Sequence, residues 1–129
     1  MHLSPRGDFH TMGDTDPAAL FGHVARELGK RGLAFLCVRE HAGPDRLGPA
    51  LKAAFGGAYI ANEGFDFESA SQLLAAGEAD AVAFGKLFIA NPDLPQRMKL
   101  GAALNEPDFP GFYAGGAKGY TDYPALPES

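Results

Sequence analysis

The chain has 129 residues, a formal net charge of −5 and a hydrophobic content of 46%. Its length suffices for one domain with a real core, and its hydrophobic content argues against disorder throughout. Neutralising phosphates needs clustered cations, whereas the Lys and Arg residues here are scattered, with Lys30-Arg31 the longest cluster. The composition therefore argues against a nucleic-acid-binding protein.

The single cysteine, Cys37, excludes an intramolecular disulfide. It lies in the apolar run from Leu33 to Val38, which predicts a small buried side chain rather than a reactive thiol. No apolar stretch approaches the roughly 20 residues needed to cross a bilayer, and the N-terminus does not resemble a secretory signal. We therefore expect a cytoplasmic protein without membrane partners.

The predicted elements begin after an N-terminal loop. Asp16 and Pro17 suit the cap and the first position of a helix, which Gly32 would close. Asp8 and Asp14 are interpreted as loop and capping residues near the same end. A short apolar run to Arg39 then predicts a strand that is covered on both faces. The apolar face of the first helix is predicted to comprise Leu20, Phe21, Val24, Ala25 and Leu28.

Two further strands and three further helices follow in alternation. A second helix is predicted to open at Pro44-Asp45 and to end at Gly56-Gly57, followed by a strand over residues 58–61. A third helix should begin near Asp66 and end at Gly77, with a third strand over residues 80–84 and a fourth helix over residues 92–100. The residues predicted to face inward are Leu47, Ala50, Leu51 and Ala54 in the second helix and Phe67, Ala70, Leu73 and Leu74 in the third.

This alternation predicts an α/β fold with parallel strands joined by right-handed crossovers. A closed eight-stranded barrel takes about 250 residues. The chain is therefore interpreted as a partial (half) TIM barrel or a small open sheet, with Leu3-Ser4 as the frayed end of a fourth strand. Residues 1–104 would form the half-barrel, and residues 105–129 an irregular C-terminal arm that packs on another surface. The open edges of such a sheet predict a second copy or a partner chain.

Three loops follow the predicted strands at their C-terminal ends, where barrel enzymes place their chemistry. They are Glu40-His41-Ala42-Gly43, Asn62-Glu63-Gly64-Phe65 and Gly85-Lys86. Loops after the last two strands of a barrel often bind phosphate through backbone N–H groups and a basic side chain. Gly64, Gly85 and Lys86 fit this design, although a glycine after a strand is more often only a turn residue.

Longer motifs make the prediction more specific. Four segments, in this order, resemble the Old Yellow Enzyme family of FMN-dependent oxidoreductases over essentially the entire chain. They are His2-Leu3-Ser4-Pro5, residues 83–94 (AFGKLFIANPDL), Leu104-Asn105-Glu106-Pro107 and residues 111–124 (GFYAGGAKGYTDYP).

The resemblance implies a (β/α)₈ flavoprotein with FMN at the C-terminal mouth of the barrel. Such oxidoreductases take hydride from NAD(P)H onto the flavin and pass it to an activated alkene or a related acceptor. The resemblance assigns cofactor binding to five residues of this chain. His2 stands where the family usually has an Arg near the pyrimidine edge of the flavin. Glu63 and Gly64 occupy the phosphate loop after the seventh strand, and Gly85 and Lys86 match the Gly-Arg that holds the phosphate.

Three of these residues depart from the family pattern. Lys86 keeps the charge of the usual Arg but loses its bidentate fork. A carboxylate at Glu63 would repel a phosphate unless its side chain points to solvent and only its backbone N–H contributes. His2 is neutral for much of the time at pH 7, which weakens a fixed positive charge near the reduced flavin. Together the departures predict weakened FMN binding.

The family's N-terminal half supplies flavin-ring contacts, a His/His or His/Asn pair for the substrate and a Tyr proton donor. No segment here resembles them, so no catalytic residue is predicted, and no residue spacing suggests a metal site. His23 is interpreted as a helix-surface residue, and His41 as a loop residue without an identified partner. Two hypotheses remain: part of a flavoenzyme completed by an N-terminal half or by dimerisation, or a non-catalytic folded remnant stabilised by self-association.

Overall fold

The computed structural model describes residues 1–7 and 11–127. Four strands form one parallel sheet in the order β1-β2-β3-β4, and the sheet is not closed. The chain divides into two compact units, Met1–Ala83 and Phe84–Ser129, and the sheet belongs to the first. The elements in chain order are β1 (His2–Leu3), α1 (Pro17–Lys30), β2 (Phe35–Arg39), α2 (Gly48–Phe55), β3 (Ala58–Asn62), α3 (Phe67–Ala75), β4 (Ala81–Ala83), α4 (Lys86–Ala90) and α5 (Leu94–Leu100).

The first helix begins and ends as its sequence predicts. The Asp16 side chain accepts a hydrogen bond from the Ala19 N–H at 3.0 Å, and Pro17 is the first helical residue. Asp14 in turn accepts from the Asp16 N–H at 2.7 Å, which confirms its local role. Asp8 lies outside the described residues. Ala25 is fully buried, whereas Leu20 is 43% exposed, so the prediction that Leu20 faces inward is wrong.

The second helix begins at Gly48, four residues later than Pro44 predicts. Its N-cap residue, Leu47, has no capping side chain; the Glu40 carboxylate accepts the N–H groups of Leu47 and Gly48 instead. Because Glu40 is seven residues before Leu47, the sequence next to the helix contains no capping residue that would predict this start. Leu51 and Phe55 are buried, while Ala50 is exposed, contrary to the prediction.

The third helix begins with a reciprocal cap between Asp66 and Ser69, as the choice of Asp66 predicts. Ala70 and Leu73 are buried, which confirms half of the predicted face. Leu74 is 43% exposed and Phe67 is 55% exposed, so these two predictions are wrong. The buried face of this nine-residue helix is narrow, because Leu74 is rotated about 100° from Leu73 around the helix axis.

The hydrophobic core lies on one face of the sheet. Strand residues alternate between faces, and Leu36 and Val38 of β2 join Tyr59 and Ala61 of β3 in the core cluster. The helices complete that cluster through Ala25, Leu51, Phe55 and Leu73. A Cβ on Gly29 of α1 would collide with the Phe55 carbonyl of α2, so a glycine is required where these two helices meet.

The opposite face of the sheet, here called the inner face, contributes no residue to this core cluster. Its residues stay exposed or half-buried, and Phe35 is 44% exposed. The strand register sets His2, Cys37, Ile60 and Ala81 in one row across this face. Cys37 is only half-buried, which corrects the prediction of a fully buried thiol. Parallel sheets usually have both faces covered, so the inner face is the incomplete side of this unit.

The second unit contains α4, which the sequence pattern did not predict, and α5, which it did. After Leu100, the described residues form turns without helix or strand, as expected for the irregular arm. The buried Arg97 of α5 ties this segment to the helix by donating to the carbonyls of Ala103 (2.6 Å) and Pro124 (2.8 Å). The arm thus packs on helices of its own unit. The division at residue 104 stays a prediction.

Arg97 also bonds to Asp93 at 2.6 Å, and the second oxygen of Asp93 accepts the Leu126 N–H at 2.7 Å. Burial opposes ionisation of this carboxyl, but the hydrogen bonds from Arg97 and Leu126 hold the pKa of Asp93 below its ordinary value. Arg97 and Asp93 thereby hold Ala103, just before the arm, and Pro124 and Leu126 near its end. Among the described residues, no helix has the length and apolar character that a membrane crossing requires.

Alkylation of Cys37 tests the half-buried state of the inner face. Burial raises the pKa of the Cys37 thiol, partly offset by the N-terminal ammonium group. Because the thiolate is the reactive form, we expect iodoacetamide to modify Cys37 more slowly than it modifies glutathione at pH 8. The rate should still be rising above pH 9. Mass spectrometry measures the rate, with Cys37→Ser as the blank, and a rate equal to that of glutathione would contradict the prediction.

Replacing Arg97 with Met should loosen the second unit. The change removes the hydrogen bonds to Ala103 and Pro124 and leaves Asp93 without its cation. We expect a loss of about 2–4 kcal/mol in the free energy of unfolding, measured by urea denaturation of the whole chain. Lys99→Met, which removes an exposed cation from the same helix, is the control and should change stability by about 0.5 kcal/mol at most. Equal effects of the two changes would refute the role of Arg97.

Candidate functional site

A cleft of about 50 Å³ opens in the first unit, beyond the C-terminal ends of its strands. This is the end of a parallel sheet where barrel enzymes place their sites. The lining residues come from the segment after β1, the end of β2 and the loops after β2 and β3. They are Ser4, Arg6, Gly7, Arg39, Glu40, His41 and Glu63.

Glu40 organises one wall of the cleft. Only 6% of this residue is exposed, and its carboxylate accepts the Nε–H of Arg6 at 3.0 Å together with the first N–H groups of α2. A carboxylate at a helix N-terminus is favoured by the helix dipole. The contacts of Glu40 therefore fix the segment after β1, the end of β2 and the start of α2 together.

A buried hydroxyl lies behind this wall. A Cβ on Gly48 would come within 2.8 Å of the Tyr59 hydroxyl oxygen, so a larger residue at the start of α2 would displace Tyr59. Burial raises the pKa of Tyr59, and the nearby Glu40 carboxylate raises it further. Tyr59 consequently stays protonated at ordinary pH and acts as a packing residue of the core.

Glu63 forms the other wall in an uncommon backbone conformation. Its φ is +85°, and Gly64 follows with a φ of +80°. The Glu63 carboxylate bonds to the Arg39 Nη2 at 2.8 Å and lies 3.9 Å from the His41 Nε2. The side chain is one-quarter exposed, so it is held inside the cleft wall rather than directed fully to solvent. His41, for which the sequence indicated no partner, thus lies beside a carboxylate.

The remaining predicted binding residues lie in different places. His2 is exposed on β1, in register with Cys37, and is not a lining residue of the cleft. Gly85 and Lys86 belong to the second unit, where Gly85 precedes α4 and has no atom near a Cβ position. The Lys86 ammonium lies 5.4 Å from the ring centroid of Phe109. That the five residues make one cofactor site stays a prediction.

Sequence reasoning left Arg6, Arg39 and Glu40 without a role. Glu40 was noted as a loop residue, but its partners are 34 residues before it and 7 and 8 residues after it. Arg39 ends a strand of otherwise uncharged residues, which is a signal that sequence reasoning could have used. No group of three or more His, Cys, Asp or Glu side chains suited to a metal occurs within residues 1–7 and 11–127.

A parallel sheet alternating with helices, with a charged cleft at the C-terminal ends of its strands, is the arrangement of part of an α/β barrel. No protein-family model matches the chain. Curated relatives do match. The putative 12-oxophytodienoate reductase 12 of Oryza sativa subsp. japonica is 42% identical, over 98% of this chain and 35% of the relative. A probable flavin mononucleotide-dependent alkene reductase of Leishmania infantum is 38% identical, over 98% and 35% respectively.

Solved structures of Old Yellow Enzyme-type proteins also match the chain. The old yellow enzyme homologue from Zymomonas mobilis is 37% identical with a TM-score of 0.91, over 97% of this chain and 38% of that chain. Morphinone reductase in complex with tetrahydroNAD is 44% identical with a TM-score of 0.90, over 98% and 35% respectively. The chain belongs to the Old Yellow Enzyme family, as its motifs indicated, and spans about a third of the length of these relatives. The family's structures are TIM barrels, so the open four-stranded sheet is a partial barrel.

Glu40→Gln tests how far one carboxylate holds the cleft together. The substitution keeps the shape of the side chain but removes the charge that Arg6 and the start of α2 contact. We expect the free energy of unfolding to fall by about 1–3 kcal/mol in urea titrations. Glu27→Gln is the matched control, because Glu27 bonds Lys30 and Arg31 on the surface of α1 and should contribute about 0–1 kcal/mol. A loss no larger than that of the control would remove Glu40 from this role.

Proposed function

We propose that this chain is the phosphate-binding part of an FMN-dependent NAD(P)H oxidoreductase and requires additional polypeptide to complete its barrel. The observation that carries the proposal is the inner face of the sheet. Phe35, Cys37 and Ile60 lie outside the core cluster on a face that a closed barrel would fill with side chains from its other strands. A complementary N-terminal half-barrel or a second copy of the chain would supply that cover.

The residues fit an anionic cofactor. In the second unit, Lys86 is an exposed cation, and Gly85 leaves open space beside the backbone. In the first unit, the positive φ of Gly64 is easily adopted by glycine, and the negative charge of Glu63 is compensated by Arg39. In the proposed complex, Gly64, Gly85 and the Glu63 N–H contact the phosphate, Lys86 neutralises it, and His2 lies at the pyrimidine edge.

FMN supplies the hydride acceptor and donor when it is bound, and NAD(P)H is the proposed reductant. The tetrahydroNAD complex of morphinone reductase and the name of the Leishmania infantum alkene reductase support this assignment. The proposed role of the present residues is to hold and orient the cofactor. We propose that the groups that contact the reducible substrate, the hydride acceptor, come from the completing polypeptide, and that the assembled protein works in the cytoplasm.

A second candidate is a non-catalytic remnant stabilised by self-association. It is favoured by the large apolar side chains exposed in the first unit, because exposed apolar surface drives association. Phe35 is 44%, Phe67 55% and Leu74 43% exposed. This candidate also predicts a dimer or a larger species, but it predicts no retention of flavin.

The size of the purified chain, measured with and without FMN, separates these candidates. If the cofactor function is correct, light scattering after gel filtration shows an associated species that retains FMN, seen by visible absorbance. An associated species that is colourless after reconstitution contradicts FMN binding and supports the remnant. A stable monomer at micromolar concentration contradicts both candidates, because the inner face would then remain exposed to water without driving association.

Lys86→Met tests the phosphate contact directly. A hydrogen bond to a charged group contributes about 1.5–3 kcal/mol, so FMN should bind at least about tenfold more weakly to this variant in fluorescence titrations. Lys99→Met removes an equal charge from the same unit and should leave the affinity within about twofold. Lys86→Arg restores the bidentate fork and should tighten binding. Equal losses in Lys86→Met and Lys99→Met would show that only net charge matters.

A further inference from the structure

We propose that Phe109 is a positioning residue for Lys86, and that its ring face holds the Lys86 ammonium ready to bind the phosphate of the cofactor. The proposal rests on the cofactor function above, in which Lys86 neutralises that phosphate, and it adds a second residue to the contact. It also addresses a departure from the family pattern. Lys86 has a single ammonium on a flexible stem where the family usually has a forked guanidinium, so its placement needs another source.

The contact between the two residues is a cation–π interaction. The Lys86 Nζ lies over the Phe109 ring, 5.4 Å from its centroid, which is within the roughly 6 Å over which a ring face attracts a cation. Both residues belong to the second unit. Lys86 is the first residue of α4 and Phe109 lies in the arm, so tertiary structure rather than sequence proximity brings them together.

A neutral partner leaves the charge of Lys86 available for an anion. Lys52, by comparison, forms an ion pair with Asp80 at 2.8 Å, which offsets its charge locally. The ring of Phe109 attracts the ammonium without neutralising it, because the ring has a quadrupole and no net charge. The ammonium has three N–H donors, so it can face the ring on one side and donate to phosphate oxygens on the other.

The ring is itself held in place by the buried part of the arm. Phe109 meets Phe112 edge to face, with the ring centroids 5.4 Å apart, and Phe112 is only 2% exposed. The turn between them is closed by the Asp108 carbonyl, which accepts the Gly111 N–H at 3.0 Å. A Cβ on Gly111 would come within 2.7 Å of an Asp108 carboxylate oxygen, so a glycine is required there. The position of Phe109 is therefore fixed by contacts other than the one with Lys86.

The exposure of Phe109 fits a role at a surface site. The residue is 56% exposed, so its burial contributes only part of what a core phenylalanine contributes to stability. A lysine side chain loses conformational freedom when its ammonium binds an anion. A ring that already restricts the ammonium lowers this cost, so phosphate binding should be stronger with the ring than without it.

The test compares FMN with riboflavin, which lacks the phosphate, in flavin-fluorescence titrations. Phe109→Leu keeps an apolar side chain but removes the ring, and it should lower FMN affinity about two- to fivefold, as expected for an exposed cation–π contact. Riboflavin affinity should stay unchanged. Phe109→Tyr keeps the ring face and should restore FMN affinity. In the Lys86→Met background, Phe109→Leu should have no further effect, because its target is gone.

Phe67→Leu is the matched control, because Phe67 is 55% exposed and lies on α3 of the first unit. It makes the same change at nearly equal exposure and should leave the ratio of FMN to riboflavin affinity unchanged. Circular dichroism checks that every variant is folded. An unmoved ratio in Phe109→Leu overturns the positioning role but leaves FMN binding intact. Tighter FMN binding by Phe109→Leu overturns it as well, and so does an equal loss in Phe109→Leu and Phe109→Tyr.

Inorganic phosphate separates the two proposals if no flavin binds. In that case the cofactor function fails, and phosphate is titrated while NMR follows the ε-methylene protons of Lys86, identified by their loss in Lys86→Met. The positioning role predicts that the ring shifts these protons upfield in the parent chain and that the shift is lost in Phe109→Leu. It also predicts a saturating phosphate response whose affinity is about two- to fivefold weaker in Phe109→Leu. The absence of either result overturns the proposal.

Discussion

A parallel sheet is usually hydrogen-bonded along its strand edges and covered by packed side chains on both faces. The rest of this structure depends on how much of that cover the chain itself provides. Helices α1 to α3 contribute Ala25, Leu51, Phe55 and Leu73 to a core on one face. The other face has Phe35 and Cys37 exposed or half-buried. In a closed barrel this face would be covered by side chains from the other strands. The cofactor proposal and the association proposal both follow from this one-sided burial.

Buried charged side chains hold chain segments together at the ends of the strands and in the C-terminal arm, where the hydrophobic core does not do so. Glu40 holds three chain segments of the first unit through Arg6 and the first N–H groups of α2. Arg97 performs the same task in the second unit through Asp93 and two carbonyls. Each charge is costly to bury, so each is surrounded by several partners.

Prediction from the sequence succeeded where the signal is local. Asp16 was identified as a cap, and the third helix was predicted to begin near Asp66, because a carboxylate can bond N–H groups two or three residues ahead whatever the rest of the chain does. It failed where the partner is distant. The start of α2 depends on Glu40, seven residues before Leu47, and the exposure of Leu20, Phe67 and Leu74 depends on where each helix meets the sheet. A short helix has too few apolar positions for its period to decide that direction.

The sequence by itself determined the family, the parallel α/β order and the residue types at the ends of the strands, because motifs and hydrophobic periods are properties of neighbouring residues. Only the tertiary structure decided that Arg39 meets Glu63 and that Glu40 joins Arg6 to α2. Those contacts join residues 24 and 34 positions apart, through strands whose C-terminal ends are brought together by parallel pairing. The physical reason is that register between strands is set by the packing of whole faces, which no single segment encodes.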